Sequence, residues 1–226
     1  MKKTRRSFLA SAAAPALALS AGNSRAEEAK RNLIREENSN PGADDWQLTR
    51  VRLDERAGIR SSDIEGYCSR QSVAAGEKLD IFVSVKVPGD FTLEIFRTGY
   101  YGGKGARLMT TIGHLPGKPQ PVPESTRGDR HLHECLWEPS HTLTIPPDWP
   151  SGVYLGRLST TDTTGKGYWQ NYVVFIVKDD RPADICLQCS DNTWQAYNMW
   201  PKNFSIYTHP KGNQGPWADV SFDRPY

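Results

Sequence analysis

Two cysteines three apart, two histidines two apart and a glycine-rich loop are the stretches whose residue types and spacing bear on chemistry. Cys186-Leu-Gln-Cys189 has the spacing of a redox dithiol or of half a zinc site. A tetrahedral zinc site needs a second pair, or histidines at ligand spacing, and neither accompanies it. The pair lies in Ala183 to Cys189, which reads as a short buried strand rather than a strand-to-helix turn, so a structural role is favoured over a redox one. His131 and His133 stand beside Glu134 and Cys135, as a metal site would use them, but a strand surface ending at Trp137 is the favoured reading. The loop Thr98 to Gly105 has the glycines of a phosphate loop. It lacks the closing Gly-Lys-Ser/Thr, and no helical period follows, so nucleotide binding is excluded. There is no Gly-x-Ser-x-Gly, no His-Glu-x-x-His and no framed pair of carboxylates, so no catalytic triad can be assigned.

The elements around these residues are predominantly strands. Leu79, Ile81, Val83, Val85 and Val87 alternate along one face. Pro88-Gly89-Asp90 reads as a turn, and Phe91 to Arg97 alternates again, so the two runs predict a hairpin. Gln47 to Leu53, Ile64 to Tyr67, His141 to Pro146, Val153 to Leu158 and Tyr168 to Val177 add further short strands, and residues 113–130 read as a long surface loop. About seven strands at regular spacing, with no convincing amphipathic helix, predict an immunoglobulin-like or fibronectin-like sandwich. Leu79, Ile81, Val83, Val85, Leu93, Ile95, Tyr154 and Phe175 are its predicted core. Asp179-Asp180-Arg181-Pro182 marks a boundary. After it comes a strand, then Asp191-Asn192-Thr193 capping a helical turn at Trp194, which is how an α/β domain begins. The segment after Pro182 is too short to bury a core of its own and is expected to dock loosely, with proteolysis near Asp179–Pro182.

The N-terminus predicts export. Lys2, Lys3, Arg5 and Arg6 precede an apolar stretch from Phe8 to Leu19 that is too short for a spanning helix. Thr4-Arg5-Arg6-Ser7-Phe8-Leu9 fits the twin-arginine signature, with cleavage after Ala21 or, preferably, Ala26. The expected organisation is a signal peptide over 1–26, a linker or frayed helix over 27–45, the sandwich over 46–180, and an incomplete α/β region over 181–226. The destination is periplasmic or secreted, with no membrane span after signal removal. The net charge of +2 includes five basic residues and no acid within 1–26, so the mature chain carries −3 and nucleic-acid binding is not implied. Cys68, Cys135, Cys186 and Cys189 remain, in a compartment that permits disulfides.

One combination of motifs is specific. The stretch from Ser190 to Trp200 contains Asp191-Asn192-Thr193-Trp194-Gln195-Ala196-Tyr197-Asn198, and Ser205-Ile206-Tyr207 follows. Together with Ile64-Glu65-Gly66-Tyr67 and Phe96-Arg97-Thr98-Gly99-Tyr100-Tyr101-Gly102-Gly103, it resembles the C-terminal region of the N,N-dimethylformamidase large (beta) subunit family, over roughly residues 46–226. The resemblance implies a metal-dependent amidohydrolase that acts on small linear amides, with ferric iron held by two tyrosines and a glutamate. It assigns the tyrosines to Tyr197 and Tyr207. In family members the glutamate lies further downstream than this chain extends, so the chain is expected to be a fragment without turnover of its own. Phenolates are hard anionic donors that suit Fe(III). Read without the resemblance, Tyr197 is a packing aromatic and Tyr207 a strand residue. A rival from another class is a non-catalytic periplasmic binding or interaction module that grips a sugar or a protein through Tyr100, Tyr101 and Trp149. The sequence leaves oligomerisation open.

Overall fold

The computed structural model describes residues 32–53, 60–124, 129–161, 167–183, 185–201, 205–212 and 216–226. The proposed signal peptide therefore lies outside the described residues. Among them are eight strands and two short α-helices: α1 (Leu33–Glu37), β1 (Ile64–Cys68), β2 (Ser72–Ala74), β3 (Lys78–Val85), β4 (Gly89–Thr98), β5 (Ala106–Gly117), β6 (His141–Thr144), β7 (Gly152–Thr160), β8 (Gln170–Lys178) and α2 (Asp191–Tyr197). The chain is mainly β and forms a two-sheet sandwich, with sheet orders β1-β3-β6 and β2-β8-β7-β4-β5. All pairings are antiparallel except β2 with β8.

All eight predicted core residues are buried between the sheets, joined by Ile64, Val73, Phe91, Leu143, Ile145, Leu158, Val173 and Val177. Alternation explains this, since every second side chain of β3, β4, β7 and β8 faces the opposite sheet. Val87 departs from the pattern: β3 ends at Val85, and Val87 is exposed. The predicted hairpin is also corrected. β3 pairs with β1 and β6, whereas β4 pairs with β5 and β7, so residues 86–88 carry the chain from one sheet to the other. An apolar period marks a buried face but not whether the next strand lies beside it or across from it. Gly89 and Asp90 belong to β4 rather than to the turn, where they face Gly117 and Pro116. Those two residues end β5, within what read as loop. β5 is an edge strand with two register shifts, the setting in which a sheet accepts proline.

Both sheets have covered outer faces. On the larger sheet, Glu94, Arg157, Gln170 and Tyr172 point away from the core, and residues 45–50 lie across them instead of forming the expected strand. Arg157 bonds the carbonyl of Asp45 and, at 2.8 and 2.9 Å, the Glu94 carboxylate; the Tyr172 hydroxyl donates to the carbonyl of Trp46, and the Thr49 amide to Gln170 Oε1 at 2.9 Å. Preceding this strap, α1 is pinned by Glu37, which accepts from Tyr101 Oη at 2.9 Å and from Arg107 Nη1 at 2.7 Å. The linker region thus has a seat on the sheet edge. On the smaller sheet, Tyr67 and Phe82 stack at 4.7 Å, and Trp137 and Trp200 build outward from them.

The segment after Pro182 differs from expectation in two ways. Residues 185–190 form no strand, and Ile185 and Leu187 are exposed, because no described strand flanks them. Yet the segment docks firmly further on. Trp200 is fully buried, and its Nε1 donates to Glu65 at 2.8 Å. One large aromatic in a prepared cluster outweighs the segment's low apolar content. No helix among the described residues is long and apolar enough to cross a membrane.

Candidate functional site

Helix α2 carries the first tyrosine. Ser190 is its N-cap, without a side-chain capping bond, and the Trp194 amide reaches the Ser190 carbonyl at 3.0 Å. The helix therefore starts three residues earlier than the predicted turn at Trp194. Gln195 and Ala196 face inward and are buried, while Trp194 and Tyr197, three apart on one helical face, are exposed.

Tyr207 arrives from a turn rather than a strand. Ser205 is buried; its amide donates to Thr208 Oγ1 at 2.6 Å, and its hydroxyl accepts from the Tyr207 amide at 3.2 Å. The Ile206 amide donates to the Ala196 carbonyl at 3.2 Å, which fastens the turn to the last part of α2. The result brings the two sequence-predicted residues together: the rings of Tyr197 and Tyr207 lie 4.6 Å apart, inclined by 37°. They are 63% and 62% exposed, so both phenol oxygens belong to an open surface rather than to a packed core.

Beneath the tyrosines lies a buried polar layer that local sequence signals did not reveal. Arg224 is fully buried and donates to the carbonyls of Gln195, Asn198, Trp200 and Ser221 and to Gln195 Oε1. Burial draws its pKa down to about 10, which leaves it charged at neutral pH. His133 is also fully buried, and neither ring nitrogen has a hydrogen-bond partner among the described residues. Burial above all, and then the nearby Arg224 and His131, lower its pKa to about 4, so it is neutral at physiological pH. The expected strand from His131 to Trp137 shrinks to a single parallel bridge between His133 and Val220. His131 does not join His133. It stacks on Trp217 at 3.8 Å, and His209 meets the same ring edge-on at 5.1 Å. His209 lies two residues beyond Tyr207 and was not anticipated.

The other candidates separate. Cys186 is exposed and Cys189 half-buried just ahead of α2, whereas Cys68 and Cys135 are buried; all four are thiols. Among the described residues no three His, Cys, Asp or Glu side chains cluster as metal ligands. Of the aromatics expected to grip a partner, Tyr101 is buried with its hydroxyl between Arg97 and Glu37, and Trp149 is buried in a stack on Tyr154 at 5.0 Å. Only Tyr100 is exposed. Tyr101, Gly102, Gly103 and Gly105 all have positive φ, so the glycines make a tight backbone loop around a buried tyrosine rather than an anion cradle.

No curated protein matches the chain. Among solved structures, a single-residue variant of a superoxide reductase (neelaredoxin) from Ignicoccus hospitalis shares 15% identity over 50% of this chain and 82% of that one, at a TM-score of 0.26, too low to bear on fold or chemistry. The model of the family described as N,N-dimethylformamidase beta subunit-like, C-terminal, matches residues 92–226, a span that includes β5 to β8, most of β4, α2 and both tyrosines. With well over half of its length matched, the chain belongs to the N,N-dimethylformamidase beta subunit-like family, through that family's C-terminal region.

Proposed function

We propose that this chain is an exported dimethylformamidase-like protein whose Tyr197 and Tyr207 hold ferric iron for hydrolysis of the C–N bond of small amides. The observation that carries the reading is the pair of exposed phenol rings 4.6 Å apart, built from two segments joined by the Ile206–Ala196 bond. The donor chemistry fits, because two phenol oxygens that become hard anions on losing their protons favour Fe(III) over softer-ligand metals. Their openness to solvent gives those protons a direct exit. When bound, the ion supplies Lewis acidity toward an amide carbonyl. By the family resemblance, a glutamate from further downstream in the family sequence would complete the ligand set. Trp194, half-exposed on the same helical face as Tyr197, offers an apolar wall for the alkyl groups of a substituted amide. Export by the twin-arginine route, read from Arg5-Arg6, accords with a protein delivered folded.

Titration of the protein with ferric iron tests the reading. A phenolate-to-iron charge-transfer band should appear in the visible, and Tyr197→Phe and Tyr207→Phe should each abolish it. Colour that survives in both single variants excludes this pair as ligands. Replacing Arg5 and Arg6 together by lysine should hold the precursor in the cytoplasm, and efficient export of that variant would remove the twin-arginine assignment.

A further inference from the structure

The end of α2 is closed in an unusual way. The last carbonyls of a helix lack intrahelical partners and are commonly satisfied by a glycine-based C-terminal motif or by water. Here the residue after Tyr197 is Asn198, in an extended conformation, and no glycine follows. Arg224, 26 positions beyond Asn198, takes over that task. Its Nη2 donates to the Gln195 carbonyl at 2.8 Å and to the Asn198 carbonyl at 3.1 Å, one before and one after Tyr197. Nη1 donates to the Trp200 carbonyl at 2.7 Å, and Nε is shared between Gln195 Oε1 and the Ser221 carbonyl, each at 3.1 Å. Every one of these acceptors is neutral, and no carboxylate lies within ion-pairing distance of Arg224 among the described residues. A buried cation without a counter-charge is costly, and the negative end of the helix dipole together with five oriented acceptors offsets the cost.

The backbone that Arg224 grips also fixes the second tyrosine. The carbonyl that accepts from Ile206 is that of Ala196, between Gln195 and Tyr197. Both rings are therefore referred to one four-residue stretch, 195–198, which the guanidinium clamps from below. We propose that Arg224 is a positioning residue: it sets the mutual placement of Tyr197 and Tyr207 and so the geometry of the donor pair. The inference rests on the reading of these tyrosines as ligands, and its test separates the two. A lysine cannot replace it, since an ammonium is a point donor that cannot span carbonyls on both sides of Tyr197 and reach Ser221 as well.

The experiment is ruthenium-photosensitised oxidative coupling of tyrosines, with persulfate as the oxidant, on the full chain without metal. Peptide mapping then quantifies the dityrosine that links 197 to 207. Coupling needs the two rings in contact, so the wild type should give this link, and Arg224→Lys and Arg224→Met should each lower its yield about fivefold or more. Trp137→Phe, which removes the indole donor to the Pro121 carbonyl and loosens the same aromatic cluster away from Arg224, should leave the yield unchanged. If Arg224→Met fails to fold, Arg224→Lys, which keeps length and charge, carries the comparison. A wild-type yield in Arg224→Lys overturns the proposal, as does an equal loss in Trp137→Phe, or no 197–207 link in the wild type. A ferric titration of the same samples distinguishes the readings: a link without any iron band refutes the ligand assignment alone, whereas an iron band retained in a variant that also keeps the link refutes positioning by Arg224.

Discussion

The inter-sheet core and the C-terminal layer on the smaller sheet are both fully buried, but they are built on different principles. In the core, burial is repeated along strands, and each side chain is one of many equivalent contributors such as Ile81, Leu93 and Val173. In the layer, burial depends on a few unlike groups: Trp200 bonded to Glu65, Arg224 to four carbonyls, and a buried His133 whose ring nitrogens have no hydrogen-bond partner among the described residues. A core of the first kind tolerates exchange of similar apolar residues, whereas the second kind fails when one member is lost. The site tyrosines sit on the second kind.

The strongest break in the comparison is expected from Ile81→Asp. It buries an unpaired carboxylate between the sheets and should cost roughly 4 kcal/mol or more, abolishing cooperative unfolding of the whole sandwich in calorimetry. An unchanged melting temperature would show that the β3 face is not buried. Trp200→Ala should cost about 3 kcal/mol, but locally: residues after 182 should become protease-sensitive while the sandwich stays resistant. Loss of the sandwich in that variant would mean the two regions fold as one unit.

Acid should distinguish the regions without mutation. His133 has its folded-state pKa lowered from 6.5 to about 4, so between these values the unfolded chain takes up a proton that the folded one refuses. Stability of the layer is therefore full above pH 6.5 and falls by about 2–3 kcal/mol as the pH drops toward 4. Asp223, whose pKa is raised by burial and then by Glu134, opposes this at the acid end of the window. Hydrogen exchange near residues 195–200 should accelerate across that range, and His133→Phe should flatten the dependence. An identical slope in the variant would assign the loss to another group. The smallest effect is expected at the opposite cover. Glu37→Gln weakens the bonds to Tyr101 and Arg107 and should cost about 1 kcal/mol, lowering the melting temperature by a few degrees without altering the layer.

The same contrast explains what was legible in the sequence. β3, β4, β7 and β8 could be read because each repeats a two-residue period, and their eight predicted core residues all pack between the sheets. Their partners could not be read, since the period of β3 and β4 is the same whether they share a sheet or face each other. β5 was hidden by Gly113 and Pro116, which an edge strand accommodates. Tyr197 and Tyr207 were picked out by a family pattern, and the fold brings them together by a contact between residues ten apart, which no local period encodes. Arg224 and His209 gave no signal because each acts through partners that no repeat in the chain marks.

The strap over the larger sheet has a consequence for the order in which the protein is made. Its anchors are Gln170 and Tyr172 on the last strand, 121 residues from Thr49 and 126 from Trp46. β2 likewise waits for β8, its parallel partner. Residues 45–50 emerge early from the ribosome and have no complete seat until β7 and β8, which carry Arg157, Gln170 and Tyr172, have been synthesised. Closure of such long loops slows folding relative to local pairing. During that interval residues 45–50 lack their partners on β7 and β8, and the strap becomes fixed only when those strands are in place.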